Sequence, residues 1–111
     1  MSAFRDVDLA ILGDPMRKAI FERLARRPCS VGELAQELPI TRQAVSQHLQ
    51  VLKQGGLVVV SPQGTRRIYR INPEGLEAIQ AYFQQIWDNA LAAFQKAAEA
   101  AADDFGQEKP L

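Results

Sequence analysis

The chain has 111 residues, 47% of them hydrophobic, and its 13 basic and 13 acidic side chains cancel to a formal net charge of zero. That length sets one domain, whose core is sufficient if a partner covers part of its surface, and no apolar run is long enough to span a bilayer. A single cysteine, Cys29, excludes an internal disulfide, and the first residues lack the charged, then apolar, then small order of a signal peptide, so a cytoplasmic protein is expected.

In chain order, Phe4, Val7, Ile11 and Leu12 have helical spacing, and Gly13-Asp14-Pro15 breaks it. A short first helix is expected there. Asp14 is a good N-cap with Pro15 at the first helical position, and Met16, Ile20, Phe21 and Leu24 stripe a second helix that Arg26-Arg27-Pro28 stops. Ser30-Val31-Gly32-Glu33 is a capping box for a third helix, with Val31, Leu34, Ala35 and Leu38 on its inner face. Pro39-Ile40 is a turn, and Thr41 caps a fourth helix.

The fourth helix is the most informative segment. On a helical wheel its polar residues Arg42, Gln43, Ser46, Gln47, Gln50, Lys53 and Gln54 share an arc of roughly 140°, while Ala44, Val45, Leu49, Val51 and Leu52 fill the remainder. One face can lock onto the domain, and the other is rich in hydrogen-bonding groups with no acid. Gly55-Gly56 ends the helix, Leu57 to Val60 is an apolar, largely β-branched run, Pro62-Gln63-Gly64-Thr65 is a turn, and Arg66 to Ile71 is a returning strand. A final helix runs from Pro73 to about Ala102, its apolar positions recurring at three and four residues. Residues 1–102 form one domain on this reading, and 103–111 are expected to be disordered.

Zero net charge hides an uneven distribution. Residues 38–73 contain Arg42, Lys53, Arg66, Arg67 and Arg70 and no acid, whereas residues 74–111 contain seven acids against Lys96 and Lys109. Such a chain can turn positive charge toward phosphates on one face while remaining neutral overall. The fold class is therefore mainly α with a small antiparallel β-hairpin, a winged helix-turn-helix in the order α-α-α-α-β-β-α. Double-stranded DNA is the leading ligand, and a winged-helix protein-interaction module that does not read DNA is the alternative. No nucleophile with a base, carboxylate pair in an apolar setting or phosphate loop suggests an enzyme.

The segments LAILGDPMRKAIFERLARRPCSVGELAQEL and ITRQAVSQHLQVLKQGGLV, followed by the GTRRIYRI wing, resemble the ArsR/SmtB family of winged helix-turn-helix regulators over roughly residues 5–95. The resemblance implies a homodimeric repressor of a palindromic operator, reading DNA with the fourth helix and pairing through its first and last helices. It puts Arg42, Gln43, Ser46 and Gln47 at the base edges and Ser30, Thr41, Gln50, Lys53, Arg66 and Arg67 at the DNA backbone. Phe4, Val7, Ile11, Leu76, Ile79, Phe83, Ile86, Trp87, Ala90 and Phe94 would form the dimer interface.

The chain departs from the founding members in having no cysteine pair in the third helix and no histidine in the last, so neither metal nor cofactor is expected and the effector stays open. His48 falls between Ala44 and Leu52 on the wheel, away from Arg42, and reads as a packing residue. Cys29, behind Arg26-Arg27-Pro28 and ahead of a helix, reads as a small, partly buried residue, with a charge-favoured thiolate as the alternative.

Overall fold

The computed structural model describes residues 8–108, and side chains through residue 104. The chain divides after Ile79 into a winged unit and a helical unit. Among the described residues the winged unit starts with a 3-10 helix, Leu9–Gly13, and continues through α1 (Pro15–Leu24), β1 (Cys29–Ser30), α2 (Val31–Glu37), α3 (Arg42–Gln54), β2 (Val58–Gln63) and β3 (Arg66–Ile71) into α4 (Pro73–Glu108).

Caps set most of these boundaries. Asp14 Oδ1 accepts from the amides of Met16 and Arg17 at 2.9 and 3.0 Å, which starts α1 behind Pro15. In α2 both halves of the capping box form: Ser30 Oγ accepts from the Glu33 amide at 3.2 Å, and Glu33 Oε1 accepts from the Ser30 amide at 2.9 Å. Thr41 Oγ1 accepts from the Ala44 amide and starts α3. At its other end the amides of Gly56 and Leu57 donate back to Lys53 and Leu52, a Schellman closure that requires the left-handed Gly56 at φ +80°. Gly75 is needed for close approach, since a Cβ there would lie 2.2 Å from the Gly56 carbonyl oxygen.

The core joins these elements. Ile20 and Leu24 of α1, Leu34 of α2, Val45, Leu49 and Leu52 of α3, and Leu57, Val58 and Tyr69 of the wing pack around Cys29. The three strands are ordered β1-β3-β2, all antiparallel, with Cys29 opposite Tyr69 and Val58 opposite Ile71. Asn72 fastens the exit of the wing: its side-chain amide donates to the Gly56 carbonyl at 2.9 Å, and its carbonyl oxygen Oδ1 accepts from the Glu74 amide at the start of α4.

Four sequence expectations change. The part of the first helix within the described residues is a 3-10 helix of five residues, closed at Asp14 because the residue before proline is driven to extended backbone, here φ −79°, ψ 124°. Phe4 and Val7 lie outside the described residues. The wing has a third strand, β1, which two residues are too few to signal, and β2 runs through Pro62 to Gln63, leaving only Gly64-Thr65 as the turn. The last helix continues past Ala102 to Glu108, since the alanine-rich helix before it propagates through Asp103 and Asp104 and no proline comes before position 110. Finally, Cys29 is fully buried rather than partly so, and burial pushes its thiol up from the ordinary range although Arg23 and Arg27 pull the other way. A thiolate is thereby disfavoured.

A buried Arg23 links α1 to the end of α2. Its Nε and Nη2 donate to both oxygens of Glu37, the second at 3.0 Å, and Nη1 reaches the Arg27 carbonyl. These hydrogen bonds, helped by the positive charge of Arg23, hold the Glu37 carboxyl below its ordinary value. A carboxyl lowered by folding contributes stability above the unfolded-chain pKa and loses it as pH falls through the folded one. Urea unfolding of wild type and Glu37→Gln from pH 7 to pH 3 is therefore expected to show a gap in midpoint at neutral pH that closes in acid. A gap that is constant across this range would show that the charge of Glu37 contributes nothing.

Candidate nucleic-acid interface

Helix α3 is amphipathic in the way its spacing requires. Val45, Leu49 and Leu52 have no exposed surface, whereas Arg42, Gln43, Ser46, Gln47, Gln50 and Lys53 are all exposed, as is Thr41 at its cap. The thirteen residues of α3 extend about 20 Å, so this face presents amide, hydroxyl and basic groups over a length that suits a major groove. His48 is half-buried beside this face and not on it.

At its N-terminal end the face opens into a crevice of about 480 Å³ lined by Ser30, Val31, Gly32, Arg42, Gln43, Ser46, Thr65, Arg66 and Arg67. Three elements meet there: the start of α2, the start of α3, and the tip of the wing. The lining has three arginines and no carboxylate. The Arg42 guanidinium lies over Gly32, where an added Cβ would be 3.7 Å from its Nη2, so this side chain joins the two wing arginines at the crevice. Arg67 is exposed, and Arg70 on the same strand donates to Ser61 Oγ at 3.0 Å.

Two residues differ from their expected positions. Ser30, expected at the DNA backbone, is 8% exposed, and its oxygen already accepts from the Glu33 amide and from Arg66 Nη2 at 3.0 Å. Burial in the β1 pairing and the capping box explains this. Arg66, expected to be free for phosphate, also pairs with Glu33 Oε1 at 3.1 Å. Sequence reasoning found the capping box but not its third member, because only the pairing of Ser30 with Ile68 on β3 brings the start of the wing alongside it.

Among the candidate interface residues of α4, Leu76, Phe83, Ile86, Trp87 and Phe94 are 44 to 71% exposed, Ala90 is exposed, and Leu91 joins them at 44%. Ile79 is half-buried against the core of its own domain, as is Ile11, whose Cδ1 occupies the space beside Gly55. Both side chains face inward because they complete the hydrophobic core that α1, α3 and the wing leave open on this side. Among the described residues no three His, Cys, Asp or Glu side chains converge as a metal site would require, and no helix is long and apolar enough to cross a membrane.

Known proteins share this arrangement. Residues 12–61 match the model of a helix-turn-helix domain family. The chain is 46% identical over 106 residues to the HTH-type transcriptional regulator Rv2034 of Mycobacterium tuberculosis, covering 94% of this chain and 99% of that one. Among solved structures, an ArsR-like transcriptional regulator from Rhodococcus sp. RHA1 is 33% identical with a TM-score of 0.64, covering 81% of this chain and 88% of that one. The homodimeric winged helix-turn-helix DNA-binding domain of Mb0332 from Mycobacterium bovis is 33% identical with a TM-score of 0.59, covering 71% and 73%.

The double use of Ser30 as helix cap and wing anchor has a measurable consequence. Ser30→Ala removes the cap of α2 and is expected to cost about 0.5 to 2 kcal/mol in chemical denaturation. An unchanged unfolding midpoint would show that the Ser30 hydroxyl holds neither element.

Proposed function

Because the chain belongs to the ArsR family of winged helix-turn-helix transcriptional regulators, we propose that this DNA-binding regulator represses transcription as a homodimer on a roughly palindromic operator. The observation that carries this reading is the exposed, acid-free polar face of α3 ending in a crevice lined by three arginines. Duplex DNA has the matching chemistry: donor and acceptor edges along the major groove, flanked by phosphates.

Gln43, Ser46 and Gln47 read base edges from the groove-facing side of α3. Arg67, Lys53, Gln50 and Thr41 contact the backbone on either side. Arg42, expected at a base edge, fits a phosphate better, since its guanidinium sits over Gly32 at the rim of the crevice. Repression follows from occupying DNA that a polymerase needs, and any effector would act by changing the separation of the two reading helices.

The partner that covers α4 is a second copy of the chain. Leu76, Phe83, Ile86, Trp87, Ala90, Leu91 and Phe94 recur at three, four and seven residues and so share one side of the helix. An apolar stripe of this size is more than a soluble monomer ordinarily exposes. The homodimeric state of the Mycobacterium bovis neighbour supports the same occupant. With two-fold symmetry the two α3 helices would enter successive major grooves about 34 to 36 Å apart.

Sedimentation at micromolar concentration is expected to give a dimer, and Trp87→Glu with Phe94→Glu a monomer; a wild type that sediments as a folded monomer would exclude this assembly. The contacts to DNA are expected to separate by kind. Arg67→Ala should weaken binding to all sequences and flatten the salt dependence by roughly 0.9 in log–log slope, the loss of one phosphate neutralisation. Gln43→Ala or Gln47→Ala should cost about 1 to 3 kcal/mol on the operator and little on random DNA. The opposite partition, with Arg67 altering sequence preference and the glutamines altering all affinities equally, would reverse reader and clamp.

A further inference from the structure

We propose that Glu33 limits the strength of duplex binding: by pairing with Arg66 it withholds that arginine's charge from the DNA backbone and lowers affinity for any sequence. This rests on the reading of α3 and the wing as a duplex-binding face.

The geometry supports a role beyond the cap. Glu33 Oε1 accepts from the Ser30 amide at 2.9 Å and pairs with Arg66 Nη2 at 3.1 Å, while the same Nη2 donates to Ser30 Oγ at 3.0 Å. The carboxylate is thus fixed to the helix start, and the arginine is held by one hydrogen bond and one ion pair. A capping box needs only an acceptor at this position, and glutamine serves as well as glutamate. What glutamate adds is a negative charge directly behind a crevice whose lining is otherwise basic. The Ser30 amide, chiefly, with Arg66 and Arg27 assisting, holds the Glu33 carboxyl below its ordinary value, so the charge is present at neutral pH. The pair is accessible to phosphate, with side chains 36% exposed for Glu33 and 54% for Arg66.

Binding to arbitrary sequence draws its free energy from phosphate neutralisation and counterion release. An arginine already neutralised by a fixed carboxylate adds little to that sum. Binding to an operator draws in addition on hydrogen bonds from Gln43, Ser46 and Gln47, which do not involve Arg66. Phosphate neutralisation enters both sums, so Glu33 lowers the affinity for operator and for arbitrary sequence by a similar factor and leaves discrimination to the base-edge contacts.

The test uses the full chain and Glu33→Gln, which keeps the cap, with fluorescence anisotropy on a random-sequence duplex and on a duplex selected by the wild-type protein from a randomised pool. Both duplexes are expected to bind several-fold more tightly, with a salt dependence steeper by roughly 0.9 in log–log slope and the specific-to-random ratio nearly unchanged. Adding Arg66→Ala to that variant should abolish the gain, because the charge uncovered by the first change is then gone. A thermal melt of each variant confirms that it is folded. If Glu33→Gln leaves random-duplex affinity and slope at wild-type values, Glu33 is a helix cap alone and the inference fails. A wild type that binds no duplex even at low salt would overturn the functional reading and the inference with it.

Discussion

The stripe Val45, Leu49 and Leu52 has no exposed surface, and its burial fixes the rotation of α3 about its own axis. Each of these side chains contributes on the order of 1.5 to 3 kcal/mol when withdrawn from water, so rotating the helix by even a quarter turn would forfeit several kcal/mol. With that side held against Ile20, Leu34 and Leu57, the polar arc has one direction to face. The caps at Thr41 and Gly56 then set where the helix begins and ends, and so how far the polar face extends along a groove.

The wing is positioned by backbone pairing and by charge. Strand β3 lies between β1 and β2, and through Ser30 the short β1 is also the cap of α2. One serine therefore ties the helix-turn-helix to the wing, and Arg66 completes the tie by bonding both Ser30 and Glu33. Such a wing does not swing freely relative to α2, which brings Arg66 and Arg67 to one crevice with Arg42. A chain of zero net charge can in this way hold a locally basic surface, its excess acids lying C-terminal to residue 73.

Much of this was legible in the residues. Asp14, Ser30 and Thr41 announce helix starts because a short polar side chain ahead of an apolar periodicity has few other uses, and all three cap as expected. The polar arc of α3 followed from spacing alone, since a regular helix turns 100° per residue wherever it packs. Contacts between distant segments were not legible. No local pattern distinguishes two residues of β1 from loop, and the partnership of Arg66 with Glu33 depends on that pairing. Ile11 and Ile79 illustrate the same gap: spacing marks them as apolar, but only their packing against the assembled core decides that they face inward. Asp103, Asp104 and Gly106 are weak helix formers, so local composition ended α4 near Ala102 although the helix runs to Glu108.

We propose that two copies of α3, each with its wing, occupy one symmetric site on duplex DNA. Hydroxyl-radical footprinting on a duplex selected by the protein tests it most directly. The account predicts two protected tracts related by two-fold symmetry, with centres about 10 to 10.5 base pairs apart on one face of the helix. A single protected tract, or two whose spacing places them on opposite faces, would contradict it.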